Sequence, residues 1–284
     1  MEKKFLLVGA LLLAGGFSTM NADVIYVTES GSGDGTSWSS AASLEDALSW
    51  AAAGDEVFVA KGTYTGSFKL RAAAKVYGNC VGTETEPPTY TTAEGLETFL
   101  KGPGGKRVLY LDGKASEIYG LDISGGDAST ETTGVGRGGG VYINNGGATL
   151  KYCNIHDNIG VDGSKNILGS NGKALKGVGG GLYVLENCII ENNIATTAPW
   201  EDTSKTWSTG IGGGICLDAT EGNGCNPDNA IVLNCIIRNN STTPTDDGDS
   251  FQSQGGGIAI KSGKLINSLV VGNSVNGSLN NQSV

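Results

Sequence analysis

The chain has 284 residues, 38% of them apolar and only 17% charged, with 47 Gly and 6 Pro. That density of helix breakers excludes a helical bundle, and the lack of a Gly-X-Y period excludes collagen. A formal net charge of −10 leaves no nucleic-acid footprint; it also repels anionic membranes and polyanionic glycans unless a cation bridges the contact.

Residues 1–22 read as a secretory signal peptide. Glu2, Lys3 and Lys4 form a charged start, residues 5–17 are apolar, and Ser18 to Ala22 supply a cleavage region. The apolar run is shorter than the ~20 residues a spanning helix needs. No second long apolar run follows, so the mature domain, 23–284, is expected to be exported with no membrane span. Ser43 and Asp46 then approximate a capping box. Leu44, Ala47, Leu48 and Ala51 share one helical face, and Gly54 stops the helix. Residues 55–59 read as the first core strand. Residues 83–106, with Pro87, Pro88 and Gly102 to Gly105, read as an excursion.

From residue 138 a repeat dominates. Glycine triplets start at Gly138, Gly179, Gly212 and Gly255, each followed by a short β-like run: 141–143, 182–184, 215–217 and 258–260. In each run two aliphatic residues flank Tyr, Tyr, Cys or Ala, so period two puts the aliphatics on one side. A second block follows at 150–158, 185–193, 232–240 and 265–273, with a degenerate copy at 118–126. Cys153, Cys188, Cys235 and Ser268 share its inward register. If each copy is one coil, like residues stack at ~4.8 Å and the apolar ladders become the core. The fold expected is therefore all-β, a parallel β-helix solenoid with a short N-terminal capping helix.

Asparagine is expected at the corners. Asn187, Asn234 and Asn267 share one register, and Asn158, Asn193, Asn240 and Asn273 another. Asn tolerates the left-handed conformation, and its amides can bond along the axis. The ladder cysteines read as unpaired small hydrophobes. Cys216, in an outward register, and Cys225, in an insertion, are a candidate disulfide. No cap follows Asn273, and a solenoid end needs one, so the reading expects a longer protein, with a partner over the last coil as the alternative.

Insertions at 127–137, 159–178, 194–211 and 241–254 recur at one corner, which would align them as a ridge on one face. They carry the candidate ligand-binding residues Trp200, Glu201, Asp202, Trp207, Asp246, Asp247, Asp249 and Phe251. Aromatic faces stack on sugar rings and carboxylates accept hydroxyl hydrogen bonds, which suits a glycan; the alternative is that the Trp rings only pin their own loops. Asp246, Asp247 and Asp249 could attract Ca²⁺, but EF-like spacing is absent and no cofactor is required. No catalytic residue is assigned. The sole histidine, His156, and Arg238 are in register with Glu191, and no Ser-His-Asp or Cys-His signature exists.

The Gly-Gly-Gly-apolar block paired with Asn-Cys-x-Ile-x-x-Asn resembles the right-handed parallel β-helix repeats of exported bacterial surface proteins, of the polymorphic outer-membrane protein type. Residues 25–38 resemble the opening of that family, and Tyr77-Gly-Asn-Cys-Val-Gly-Thr-Glu-Thr85 looks like a variant of one of its segments. The resemblance implies a pectin-lyase-like fold at the cell surface or outer membrane, or outside the cell. It implies no particular chemistry, because such folds host enzymes, adhesins and stalks alike. The expected role is adhesin-like or glycan-binding, with surface glycans or host and cell-surface proteins as partners. A passive stalk or passenger is the first alternative, and a polysaccharide lyase or glycoside hydrolase the second.

Overall fold

The computed structural model describes residues 22–112, 115–130, 138–143, 147–160, 167–168, 183–196, 208–211, 213–217, 230–243, 251–260 and 263–275. Every strand pairing in it is parallel. The first wall is an eight-stranded sheet of Val24–Val27, Glu56–Ala60, Lys75–Cys80, Ser116–Tyr119, Ala148–Lys151, Tyr183–Glu186, Ala230–Leu233 and Lys264–Ile266. The second is a seven-stranded sheet of Gly62–Thr65, Thr98–Lys101, Asp122–Ser124, Asn154–His156, Ile189–Glu191, Ile236–Arg238 and Leu269–Val271. Each first-wall strand from Glu56–Ala60 onward is followed by a second-wall strand, so the chain winds in coils. We number them 1 to 7 by those first-wall strands, ending with Lys264–Ile266. A third wall contains Phe68–Leu70, Leu109–Leu111, Val141–Ile143 and Ile167–Leu168, and farther along Ile215–Leu217 pairs with Ile258–Ile260. The molecule is a parallel β-helix.

Its core is the set of inward ladders. On the first wall Val57, Val76, Ile118, Leu150, Leu185, Val232 and Leu265 lie in one register. On the second, Tyr64, Leu100, Ile123, Ile155, Ile190, Ile237 and Val270 do so. Period two turns these residues inward and their neighbours outward. Cys153, Cys188 and Cys235 are buried between the two walls and tied by the backbone bonds Ile189 N to Cys153 O (2.9 Å) and Ile236 N to Cys188 O (3.0 Å). Burial pushes the Cys188 thiol well above its ordinary value and the Cys80 thiol up to about 12, so both stay protonated and unreactive.

The N-terminal end is closed. Helix α1 (Leu44–Trp50) starts at Ser43, whose Oγ accepts from Asp46 N (3.1 Å) and donates to Asp46 Oδ2 (2.8 Å). It lays Leu44, Ala47 and Leu48 onto the first ladders. The edge of Val24–Val27 is also covered: Tyr26 N donates to Gly35 O and Tyr26 O accepts from Ala42 N.

Four expectations need correction. The first is the Asn register. Left-handed residues form two corner columns, Gly120, Tyr152, Asn187, Asn234 and Asn267, and Gly125, Asp157, Asn192, Asn239 and Gly272. Asn158, Asn193 and Asn240 are not at these corners; they stand one residue later, fully buried. Their amides form a ladder. Asn158 Nδ2 donates to Asn193 Oδ1 (3.1 Å), Asn193 Nδ2 to Asn240 Oδ1 (2.9 Å) and Asn240 Nδ2 to Asn273 Oδ1 (3.0 Å). The ladder explains the last glycine of three of the triplets. A Cβ on Gly140, Gly214 or Gly257 would come within 2.7, 2.9 or 2.5 Å of the Asn158, Asn240 or Asn273 side chain, too close for any other residue.

The second concerns residues 182–184. Tyr183–Glu186 stacks on Ala148–Lys151, with Val184 opposite Thr149, not on Val141–Ile143. Val184 directly precedes the inward Leu185, leaving no chain for a third-wall strand and a corner between them; Ile167–Leu168 takes that place. Third, the excursion is shorter than 83–106, because Thr98–Lys101 is a second-wall strand with Leu100 inward. Fourth, the insertions begin later. Ile159–Gly160, Ile194–Thr196, Ser241–Thr243 and Ser274–Val275 form a fourth parallel wall, and Ser208–Ile211 pairs with Phe251–Gln254.

Candidate functional site

The outer face of the second wall carries a polar constellation built from successive coils. Alternation places Asp122, Asn154, Ile189, Ile236 and Leu269 in one outward column, and Lys101, Ser124, His156, Glu191, Arg238 and Val271 in the other. Stacking brings opposite charges on successive coils into contact. His156 Nε2 meets Asp122 Oδ1 (2.9 Å) from the coil before, and its Nδ1 meets Asp157 Oδ2 (2.6 Å). Asn154 Nδ2 donates to the other Asp122 oxygen (3.0 Å). Two coils along, Arg238 Nε meets Glu191 Oε2 (2.5 Å).

These carboxylates, Asp122 first through its hydrogen bond, raise the His156 pKa to about 9 against the opposing effect of burial. The ring is therefore an imidazolium at neutral pH. It has no lone pair with which to take a proton, so it is no general base there. With both ring nitrogens engaged, it also offers no metal vertex. Among the described residues no group of three or more His, Cys, Asp or Glu could hold a metal ion. The apolar cavity beneath α1, lined by Leu44, Leu48, Leu70 and Leu100, has about 10 Å³, far below what a ligand needs.

An arm of chain, 81–97, rises beside this face at the corner between the first and second walls. Glu84 anchors its start by accepting from Gly82 N (2.9 Å) and Thr83 N (3.0 Å), and Trp38 Nε1 donates to Glu84 O (3.0 Å). Tyr90 crosses Gly120, stacks between Tyr119 and Tyr152, and donates from its hydroxyl to Gly78 O (2.6 Å). Farther out, Glu94 adds to the negative field at Arg238.

Of the ligand-binding residues expected from sequence, Trp200, Glu201, Asp202, Trp207, Asp246, Asp247 and Asp249 lie outside the described residues, as does Cys225. Phe251 opens the strand Phe251–Gln254, opposite Ser208. Cys216 lies in Ile215–Leu217, opposite Ala259. The segments flanking the two Trp- and Asp-bearing loops pair on both sides. Ile194–Thr196 runs beside Ser241–Thr243, and Ser208–Ile211 beside Phe251–Gln254. Loops 197–207 and 244–250 thus leave and rejoin adjacent coils at matched positions. Asp122 is the site residue that sequence reasoning passed over. Its signal was present in the degenerate copy, where it shares the register of Asn154.

Neither a protein-family model nor a curated protein matches the sequence. Similar solved structures include an alginate lyase from Paenibacillus sp. str. FPU-7, at 16% identity and a TM-score of 0.32, covering 89% of this chain and 99% of that one. They also include pectate lyase Pel9A, at 11% identity and a TM-score of 0.26, covering 86% of this chain and 79% of that one. At these values the likeness carries no chemistry over, and the β-helix stands on the chain's own strand pairing.

Proposed function

We propose that the chain is an exported β-helix protein of the cell surface, which binds surface glycans through loops carried at one position on adjacent coils. The observation behind this reading is the double pairing of the loop flanks, Ile194–Thr196 with Ser241–Thr243 and Ser208–Ile211 with Phe251–Gln254. It brings together the bases of the loops that bear Trp200, Glu201, Asp202 and Trp207 and those that bear Asp246, Asp247 and Asp249. Aromatic residues supply stacking faces for sugar rings, and carboxylates accept from sugar hydroxyls. Binding of this kind needs no cofactor.

Export rests on the charged and apolar start at residues 1–22. Among the described residues, no helix is long and apolar enough to cross a membrane. The adhesin reading is preferred to the enzyme because the polar constellation in hand is self-paired. Its histidine is held protonated and its arginine is bound to a glutamate, so neither side chain is free to take a proton.

A glycan array with residues 23–284 tests the reading. Binding is expected, and Trp200→Ala and Trp207→Ala should each weaken it at least several-fold. Binding insensitive to both substitutions defeats the loop site. A fragment that binds no glycan and leaves polysaccharides uncut is a stalk.

A further inference from the structure

We infer that a second copy of this chain docks, antiparallel, on an aliphatic strip at the corner between the first and second walls in coils 6 and 7. The inference stands apart from the glycan-binding reading. The strip forms where the outward columns change character. Along the first wall the column at this corner reads Tyr119, Lys151, Glu186, Leu233 and Ile266. Along the second it reads Asp122, Asn154, Ile189, Ile236 and Leu269, and Val271 follows Arg238 in the next outward column. Ile266, Leu269 and Val271 are exposed, and Leu233 and Ile236 are half-buried. Val270 and Val275 are exposed as well, but they stand in inward registers that a stacked coil would cover. The strip points sideways, out of reach of any stacked coil.

Earlier along this corner the chain covers its own outward apolar surface. The arm 81–97 lays Tyr90 between Tyr119 and Tyr152 on coils 3 and 4, and the strip continues the same corner beyond it. A copy of the chain suits the strip because its ladders have the same ~4.8 Å step, so apolar columns can meet in register. The flanking charges do not oppose this. Lys151 is paired with Glu186 and Arg238 with Glu191, so the net charge of −10 is not gathered here. The exposed Asn234 and Asn267, joined at 2.7 Å, place amides along the middle of the strip, where they can bond to the same amides of the copy. The arm sets the orientation. Parallel copies would bring arm against arm at one height. A two-fold axis across the solenoid between coils 6 and 7 instead sets Leu233 on the partner's Ile266 and Ile236 on the partner's Leu269. Each arm then lies past the partner's coil 7.

Sedimentation equilibrium of residues 23–284 from about 5 to 500 μM tests this, because five aliphatic side chains with a polar rim fall short of the ~800 Å² per partner of a standard interface and make a weak dimer. A closed monomer–dimer equilibrium is expected. Leu233→Lys and Leu269→Asp should each weaken it at least ten-fold. Each installs a residue that its own column already carries, Lys151 or Asp122, so the coil is kept; circular dichroism checks this. Small-angle scattering reads the orientation: overlap of coils 6 and 7 alone makes the dimer longer than one chain by five coil steps, roughly 24 Å. A monomer at every concentration overturns the inference and leaves the strip to a different macromolecule. Open-ended growth, a dimer that persists in the folded variants, or a dimer no longer than one chain overturns it as well.

Discussion

Coils 1 to 3 and coils 4 to 7 share the first two walls, yet they are held together from opposite sides. In the first group the support is outside. Tyr26, Phe58, Tyr77 and Tyr119 form an outward aromatic column on the first wall, flanked by Trp38 and Tyr90, with adjacent ring centroids 4.9 to 5.8 Å apart along it. The arm 81–97 covers that column and fastens onto it. In the second group the same outward register reads Lys151, Glu186, Leu233 and Ile266, and the support is inside, in the Asn158–Asn193–Asn240–Asn273 amide ladder. The difference shows two ways to bind one coil to the next. Where the repeat is degenerate, large rings stack outside the tube; where it is regular, one buried amide per coil suffices. The ends differ too. The N-terminal end is capped by α1, whereas the last described coil exposes Leu269 (55%), Val271 (49%) and Val270 (42%).

Substitutions can break each support separately. The largest effect is expected from Asn193→Ala. It removes the acceptor of Asn158 Nδ2 and N–H and the donor to Ile155 O (2.9 Å), leaving buried polar groups unpaired. At 1–3 kcal/mol for each orphaned group, the loss is about 4 kcal/mol, read as a lower urea midpoint. Proteolytic protection of coils 1 to 3 should survive it.

The counterpart on the outside is Gly120→Ala. Gly120 has φ +63°, and a Cβ there would sit 2.0 Å from Tyr90 Cε1. The ring must leave its stack, at about 2–3 kcal/mol. Limited proteolysis should then cut within 81–97 while coils 5 to 7 stay intact. Uniform loss of protection over all coils would mean that the two supports are one cooperative unit.

Between the two regions stands His156, which joins coil 4 to coil 3. Its folded pKa of about 9 lies above the ordinary 6.5. The clamp therefore contributes fully below about pH 6.5 and is lost as pH rises through about 9. Unfolding midpoints should fall by the equivalent of about 1–2 kcal/mol across that window, and His156→Gln should flatten the profile. The smallest effect is a gain. Thr242 is fully buried and its Oγ1 finds no partner among the described residues. Thr242→Val, which keeps the shape and removes the orphan hydroxyl, should raise the midpoint by about 1 kcal/mol.

Much of this was legible in the sequence, for a physical reason. A coil stacked on its copy must repeat its inward residues, so the 150–158 and 185–193 blocks reveal the second-wall ladder and the cysteine column directly. The Ser43 cap is equally local and is read from two residues. Where spacing varies, the reading slips. The Val184 assignment failed because the copy beginning at Gly179 has no chain to spare before Leu185. The candidate loops were found by what interrupts the repeat, and the pairing of their flanks came from matching wall segments.

By itself, the amino-acid sequence determined that this chain winds into stacked parallel coils with a helix over the first, because periodicity and capping are properties of neighbouring residues. The tertiary structure alone decided which residue of each Asn pair turns the corner and which enters the core, why Gly140, Gly214 and Gly257 must be glycine, and which charge meets which. Those depend on what lies one coil away, 33 to 47 residues off in the chain for the pairs Asn158–Asn193, Asn193–Asn240, Asn240–Asn273, His156–Asp122 and Arg238–Glu191. A repeat of uneven length does not announce that distance until its strands have paired.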